Sequence, residues 1–208
     1  MSLLKGVSSA SLERLEKLIR ERLMSGADTT AIDKRIWSLF GDTWAIMFTD
    51  LSGFSRATAE FGIIHFLQII YESQRIFMPI IYVYDGIVIK VEGDSMMIIF
   101  RTPDKAVKCG LKMQAVCKEY NKNRNDTDHI TLCLGIGYGK VLKVGDNDIF
   151  GAELNAACKL GEDTAQPGEI LVTGAVKKAC TNIENITFDK LDFSPPGAEF
   201  AFKINYPI

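Results

Sequence analysis

Two aspartates stand where a folded chain can put carboxylates to chemical use. Asp50 ends the apolar run 44–49, and Asp94 lies in Glu92-Gly93-Asp94, between the apolar runs 87–91 and 95–100. The first run reads as a buried strand, and the other two as a hairpin turned by glycine. If that strand lies beside the hairpin, the two carboxylates converge. Paired hard oxygen ligands suit Mg²⁺ or Mn²⁺, which take one or two protein carboxylates and fill their remaining positions with substrate phosphates and water. Asp50-Leu51-Ser52-Gly53-Phe54-Ser55 adds a glycine just before a helix start, where backbone N–H groups and the helix dipole favour a triphosphate. The expected chemistry is metal-assisted work on phosphates.

The elements that must position these groups follow from periodicity. Residues 11–24 carry Leu12, Leu15, Leu18, Ile19 and Leu23 on one helical face, and Gly26 follows as a stop. Thr30-Ala31-Ile32-Asp33 resembles a capping box opening a second helix with Ile32, Ile36, Trp37 and Phe40 inward, ending near Gly41. Residues 1–42 therefore read as a helical appendage, and 43–208 as the unit that carries the chemistry. Within it we expect a strand at 44–50, a helix at 58–84 kinked by Pro79, the hairpin, and a helix at 103–120. A strand at 130–138 then turns at Gly139 into a partner at 140–144. A helix at 152–163, a strand at 169–173, a helical turn at 174–179 and short strands at 185–188 and 200–204 complete the chain. Strand, helix, hairpin, helix, strand is the ferredoxin-like βαββαβ arrangement, an α/β (α+β) sandwich.

Composition narrows the partners. Of 208 residues, 47% are hydrophobic and 24% charged, enough for a full core. Twenty-four basic against 26 acidic residues give net −2, which lacks the positive field that nucleic-acid binding needs. Five cysteines without a C-x-x-C pair, and only His65 and His129, argue against disulfides and zinc and for reduced thiols in a cytoplasmic protein. The two histidines read as packed or solvated rather than catalytic. The most apolar stretch, 61–84, is broken by His65, Gln68, Glu72, Gln74 and Arg75, so no membrane span is expected. The first residues contain no apolar signal region.

Four ordered motifs carry a family resemblance. Phe48-Thr49-Asp50-Leu51-Ser52-Gly53-Phe54 resembles the first signature of class III nucleotidyl cyclases, and Lys90-Val91-Glu92-Gly93-Asp94 their second. Leu134-Gly135-Ile136-Gly137-Tyr138-Gly139 resembles their glycine-rich strand. Asp148-Ile149-Phe150-Gly151 through Asn155-Ala156-Ala157 resembles their Asp-x-x-Gly-x-x-x-Asn-x-Ala stretch. Glu162-Asp163 to Pro167-Gly168-Glu169-Ile170 matches the exit into the next strand. The resemblance runs from about Trp44 to Thr173.

The resemblance implies a head-to-tail homodimer with two sites at its interface, converting ATP to cyclic AMP and pyrophosphate. Asp50 and Asp94, with the backbone carbonyl of Leu51, would hold two Mg²⁺ or Mn²⁺ ions, and Gly53 and Phe54 would lie against the nucleotide. Lys90 and Asp148 of the opposite subunit would read the base: a lysine donor meets an adenine ring nitrogen and an aspartate accepts from the exocyclic amine, whereas guanine presents the reverse pattern. Asn155 would place the ribose or transition state. Four residues on, where most members carry arginine, this chain has Lys159, which keeps the charge without the planar fork. The C-terminal phosphate lysine of many members is missing from residues 191–197; Lys190 and Lys203 lie near without an assignable role. These departures leave open a second reading, a weak or inactive cyclase-like module that binds nucleotide or dimerises to regulate a partner. A diguanylate cyclase relative is a weaker third, since its Gly-Gly-Asp-Glu-Phe signature is missing and Glu92-Gly93-Asp94-Ser95 is only a partial echo.

Overall fold

A computed structural model describes residues 10–52, 62–181 and 183–207. Two helices, α1 (Ala10–Arg22) and α2 (Thr29–Phe40), lead directly into strand β1 (Gly41–Leu51). Then come α3 (Ile63–Val83), β2 (Ile87–Glu92), β3 (Ser95–Phe100), α4 (Pro103–Asn121), β4 (Leu132–Val144) and β5 (Asp148–Phe150). Helix α5 (Ala152–Cys158) runs into a π-helical turn (Lys159–Thr164), followed by β6 (Ile170–Thr173), α6 (Gly174–Ala179), β7 (Thr187–Lys190) and β8 (Ala201–Asn205). One mixed sheet holds them together in the order β2-β3-β1-β4-β6-β8-β7, with β5 paired to β4. The β4-β1-β3-β2 part is the expected ferredoxin-like core. Only β4 and β6 pair in parallel.

Alternation along the strands splits the interior into two layers. On one face Met47, Ile98, Phe100, Ile136 and Val172 meet Phe77 and Ile81 of α3 and Cys109 and Met113 of α4, all fully buried or nearly so. On the other, Trp44, Ile46, Phe48, Ile99 and Val141 pack with Ile149 of β5, Leu154 of α5 and Cys158. A separate small cluster seats α1 and α2 on Val144 through Leu18, Ile32, Ile36 and Phe40. Helix α2 is capped by Asp28, whose carboxylate accepts from Ala31 N at 3.0 Å, rather than by the box beginning at Thr30. All five cysteines are free thiols.

Two expectations are corrected. Residues 130–144 do not fold back at Gly139; β4 is one thirteen-residue strand paired with β1 from Leu51↔Leu132 to Gly41↔Leu142, and its hairpin partner is β5. The glycines serve close packing instead of a turn. A Cβ on Gly135 would lie 2.1 Å from Ala157 O, one on Gly137 2.3 Å from Glu153 O, and one on Gly139 2.8 Å from Glu153 Cγ. Alternate glycines thus clear a lane on which α5 rests backbone against backbone. The second correction concerns 152–163, which is not one helix. Gly161 is wedged so tightly against Gly135 N and Phe48 O (2.9 and 3.0 Å from its would-be Cβ) that the helix widens, and Ala165 N donates to Leu160 O at 2.8 Å, five residues back. Such π turns recur at functional sites. Helix α3 runs through Pro79, and the expected start of that helix at 58 lies outside the described residues.

Candidate active site

Asp50 lies one residue from the end of β1, on the sheet face that carries α5. The β2–β3 hairpin closes through a two-residue turn, Gly93-Asp94, between the paired Glu92 and Ser95, and Gly93 takes φ +58°, which a glycine adopts without strain. This turn is brought to Asp50 by two side-chain contacts. Buried Thr49 accepts from Met96 N through its hydroxyl at 3.1 Å, and the Ser95 hydroxyl donates to Asp50 Oδ1 at 3.1 Å. The register of β1 with β3 sets Asp50 beside the hairpin that carries Asp94, and the Asp94 charge acts on the half-buried Asp50 carboxyl. Burial, then the Asp94 charge, and more weakly Glu162 and Asp163, push the Asp50 carboxyl up to about 6, against the Ser95 hydrogen bond. Asp94 is likewise raised, by burial first and by Glu162, with its own backbone N–H opposing.

Two half-buried carboxylates in electrostatic range favour a partner that brings positive charge. The donor set fits a hard divalent ion that keeps several phosphate and water oxygens. Among the described residues no three His, Cys, Asp or Glu side chains gather as a metal-binding group, so an ion here would draw its other ligands from backbone, substrate and water oxygens. Leu51, with its side chain buried in the main core, offers only its backbone. Because the folded state binds the Asp50 proton more tightly than the unfolded chain, this group favours folding most at low pH, and that contribution is lost as pH rises from about 4 to about 6. The metal-free Asp50→Asn protein should therefore melt at a higher temperature than wild type at pH 7, with the gap narrowing toward pH 5. Thermal melts in chelator at the two pH values check this.

Lys90 reaches the same face through an irregularity. The β2–β3 register slips between Val88 and Lys90, so that Lys90 pairs with Met97 after Val88 has paired with Ile98. This bulge turns Lys90 to the side of Met97 and α5 rather than that of Val88 and the main core. There Lys90 forms an ion pair with Glu92, and its ammonium is held above the usual lysine range by Glu92 first and by Asp148 more distantly. Asp148 opens β5, which folds over this face with Ile149 packed in one cluster with Ile89. Lys90 and Asp148 of a single chain are thereby brought within electrostatic range, as one base-reading pair requires.

Asn155 and Lys159 project from the exposed side of α5 and its π turn, one turn apart. Lys159 is paired with Asp163, and the Cys158 thiol, pushed up to about 12 by burial and the Glu162 carboxylate, donates to Glu162 Oε2 at 3.0 Å. Of the lysines considered for the terminal phosphates, Lys203 is bound to Glu169 at 2.6 Å and Lys190 lies 4.3 Å over the Phe200 ring. Gly53 and Phe54 lie outside the described residues. The sequence named Glu162-Asp163 only as part of the exit into the next strand and Ser95 only in the partial echo, without placing any of them near Asp50. Glu162 and Asp163 stand four residues after Cys158 and Lys159, the one spacing that would have flagged them.

Comparison with known proteins now decides the family. The model of the adenylate and guanylate cyclase catalytic domain matches residues 40–195. The chain belongs to that family. Among curated relatives of this cyclase domain, the Myxococcus xanthus protein named "Serine/threonine-protein kinase pkn2" is 26% identical over 139 residues, 67% of this chain and 16% of that protein. The Rhizobium meliloti protein named "Putative adenylate cyclase 3" is 24% identical over 144 residues, 69% of this chain and 24% of that one. The chain thus spans less than a quarter of either curated relative. Among solved structures, an adenylate/guanylate cyclase/hydrolase from Silicibacter pomeroyi superposes with a TM-score of 0.67 at 23% identity, covering 81% of this chain and 98% of that one. The cyclase fold is common to both. Among the described residues, no helix is long and apolar enough to cross a membrane.

Proposed function

We propose that this cyclase domain is an adenylate cyclase, converting ATP to 3′,5′-cyclic AMP and pyrophosphate at the interface of a head-to-tail homodimer. The observation that supports the reading is that β1 and the β2–β3 hairpin set two half-buried carboxylates, Asp50 and Asp94, beside one another, with Ser95 of the hairpin donating to Asp50 Oδ1 at 3.1 Å. Two Mg²⁺ or Mn²⁺ ions held there, with the Leu51 carbonyl, would supply activation of the ribose 3′-hydroxyl and charge neutralisation on the triphosphate. The chain's own residues do the rest. Ser95 fixes the rotamer of Asp50 by donating to one of its oxygens, leaving the other free to ligate. Gly53 and Phe54 follow the carboxylate strand and border the nucleotide.

Lys90 donates to the adenine ring and Asp148 accepts from its exocyclic amine, both from the partner chain of the one holding the metals. Asn155 orients the ribose, and Lys159 contributes positive charge at the transferring phosphoryl group. Exposure of Lys90, Asn155 and Lys159 in the single chain supports the dimer reading, because groups that must touch nucleotide otherwise face open solvent. A cytoplasmic setting accords with the five free thiols.

The test is direct. Purified protein with ATP and Mn²⁺ should yield cyclic AMP, with a specific activity that rises with protein concentration as dimers form. Absence of cyclic nucleotide at every concentration, alongside measurable ATP binding, would instead establish the regulatory-module reading. The purine preference is checked separately: Lys90→Glu should cut the ratio of kcat/KM for ATP over GTP by about tenfold or more, the order expected when a buried base edge loses its matched donor. An unchanged ratio would remove Lys90 from base reading.

A further inference from the structure

The π turn does more than end α5. Its backbone is fixed from below: Leu160 and Gly161 are fully buried, Gly161 is clamped between Gly135 and Phe48, and the Thr164 hydroxyl donates to Lys159 O at 2.8 Å. Asp163, on this rigid turn, is therefore set in place by the fold. Its carboxylate holds the Lys159 ammonium, both side chains being 56% exposed. The same carboxylate lies near enough to Asp50 for its charge to be felt there. One acidic group thus pairs with Lys159 and also acts on Asp50.

Resting on the cyclase reading above, we infer that Asp163 is a positioning residue that competes with the nucleotide triphosphate for Lys159, holding the ammonium in reserve until phosphate displaces it. Lysine makes the competition consequential. An arginine offers five donors in a planar fork and can keep a carboxylate on one edge while presenting the other to phosphate; a lysine is a point charge on a flexible stem, and a contact to Asp163 weakens what it gives elsewhere. The cost is small because the pair is solvated. Exposed ion pairs hold weakly, so displacement by a triphosphate costs no more than about fivefold in rate.

The experiment compares wild type, Asp163→Asn, Asp163→Glu, Lys159→Met and the Lys159→Met/Asp163→Asn double variant, at saturating Mn²⁺ and in a Mn²⁺ titration. Asp163→Asn should raise kcat by about two- to fivefold. It should also raise the half-saturating Mn²⁺ concentration, because a negative charge near Asp50 has gone. Asp163→Glu should restore both values, and the asparagine substitution should change kcat not at all in the Lys159→Met background. A kcat that falls or stays constant in Asp163→Asn overturns the inference, as does an equal gain in both backgrounds. Failure of the cyclase reading is separate, being an inactive wild type. In that event the affinity for a non-hydrolysable ATP analogue decides: tighter binding by Asp163→Asn only when Lys159 is present supports competition, and any other pattern refutes it.

Discussion

Asp50→Ala and Asp94→Ala should each reduce cyclic nucleotide formation by at least about three orders of magnitude while the protein remains folded. In the proposed site each carboxylate is one half of the side-chain ligand pair. Loss of either forfeits charge stabilisation of the kind that contributes several kcal/mol to a phosphoryl-transfer transition state. Folding should be spared, and in the metal-free protein improved, because what is removed is a half-buried carboxylate whose charge is disfavoured by burial and by neighbouring acids. The check is activity with ATP and Mn²⁺ alongside thermal melts. In wild type, Mn²⁺ should raise the melting temperature by mass action, and in either alanine variant that shift should largely vanish. Activity retained within tenfold in Asp50→Ala would remove the metal assignment.

Gly135→Val should have the largest effect on folding. A Cβ at this position meets Ala157 O at 2.1 Å, Gly161 N at 2.3 Å and Gly161 Cα at 2.9 Å, all backbone atoms that no rotamer change can move aside. To admit even one methyl group, α5 and its π turn must lift off the sheet, undoing the cluster of Phe48, Ile99, Ala157 and Cys158 and displacing Asn155 and Lys159 with them. Overpacking of a well-filled interior costs about 1–3 kcal/mol, and a backbone clash this short lies at or beyond the top of that range. We expect the variant to melt at least about 10 °C lower or to be recovered insoluble, on a shift of several degrees per kcal/mol. Gly168→Ala supplies the contrast: nothing lies within 4 Å of its would-be Cβ, so only its positive φ is strained.

Much of this architecture is written in short-range pattern. The run ending at Asp50 and the hairpin about Gly93 were legible because buried strands are dense in Ile, Met and Phe and a tight turn demands glycine, and together they predicted where two acids would meet. Three features were not legible. Gly139 has the chemistry of a turn, and only the presence of α5 across the sheet turns it into a spacer; that information lies in contacts, not in its neighbours. The π turn coincides with the close approach of Gly161 to Phe48 and Gly135, a tertiary contact that its sequence neighbours do not reveal. The ion pairs of Lys159 with Asp163 and Lys90 with Glu92 were hidden because Lys90 was matched to Asp148 and Lys159 to the family's arginine position, and neither match says which nearby acid the ammonium meets in the fold.

The register slip in β2 carries a consequence for how substrate choice can change. Ahead of it, odd and even positions obey one inside–outside code; behind it, they obey the opposite one. Lys90 owes its orientation to a residue count rather than to its own chemistry. In the proposed base-reading role, deleting or inserting one residue at this slip would turn Lys90 to the opposite side of the sheet with every other proposed site residue left in place.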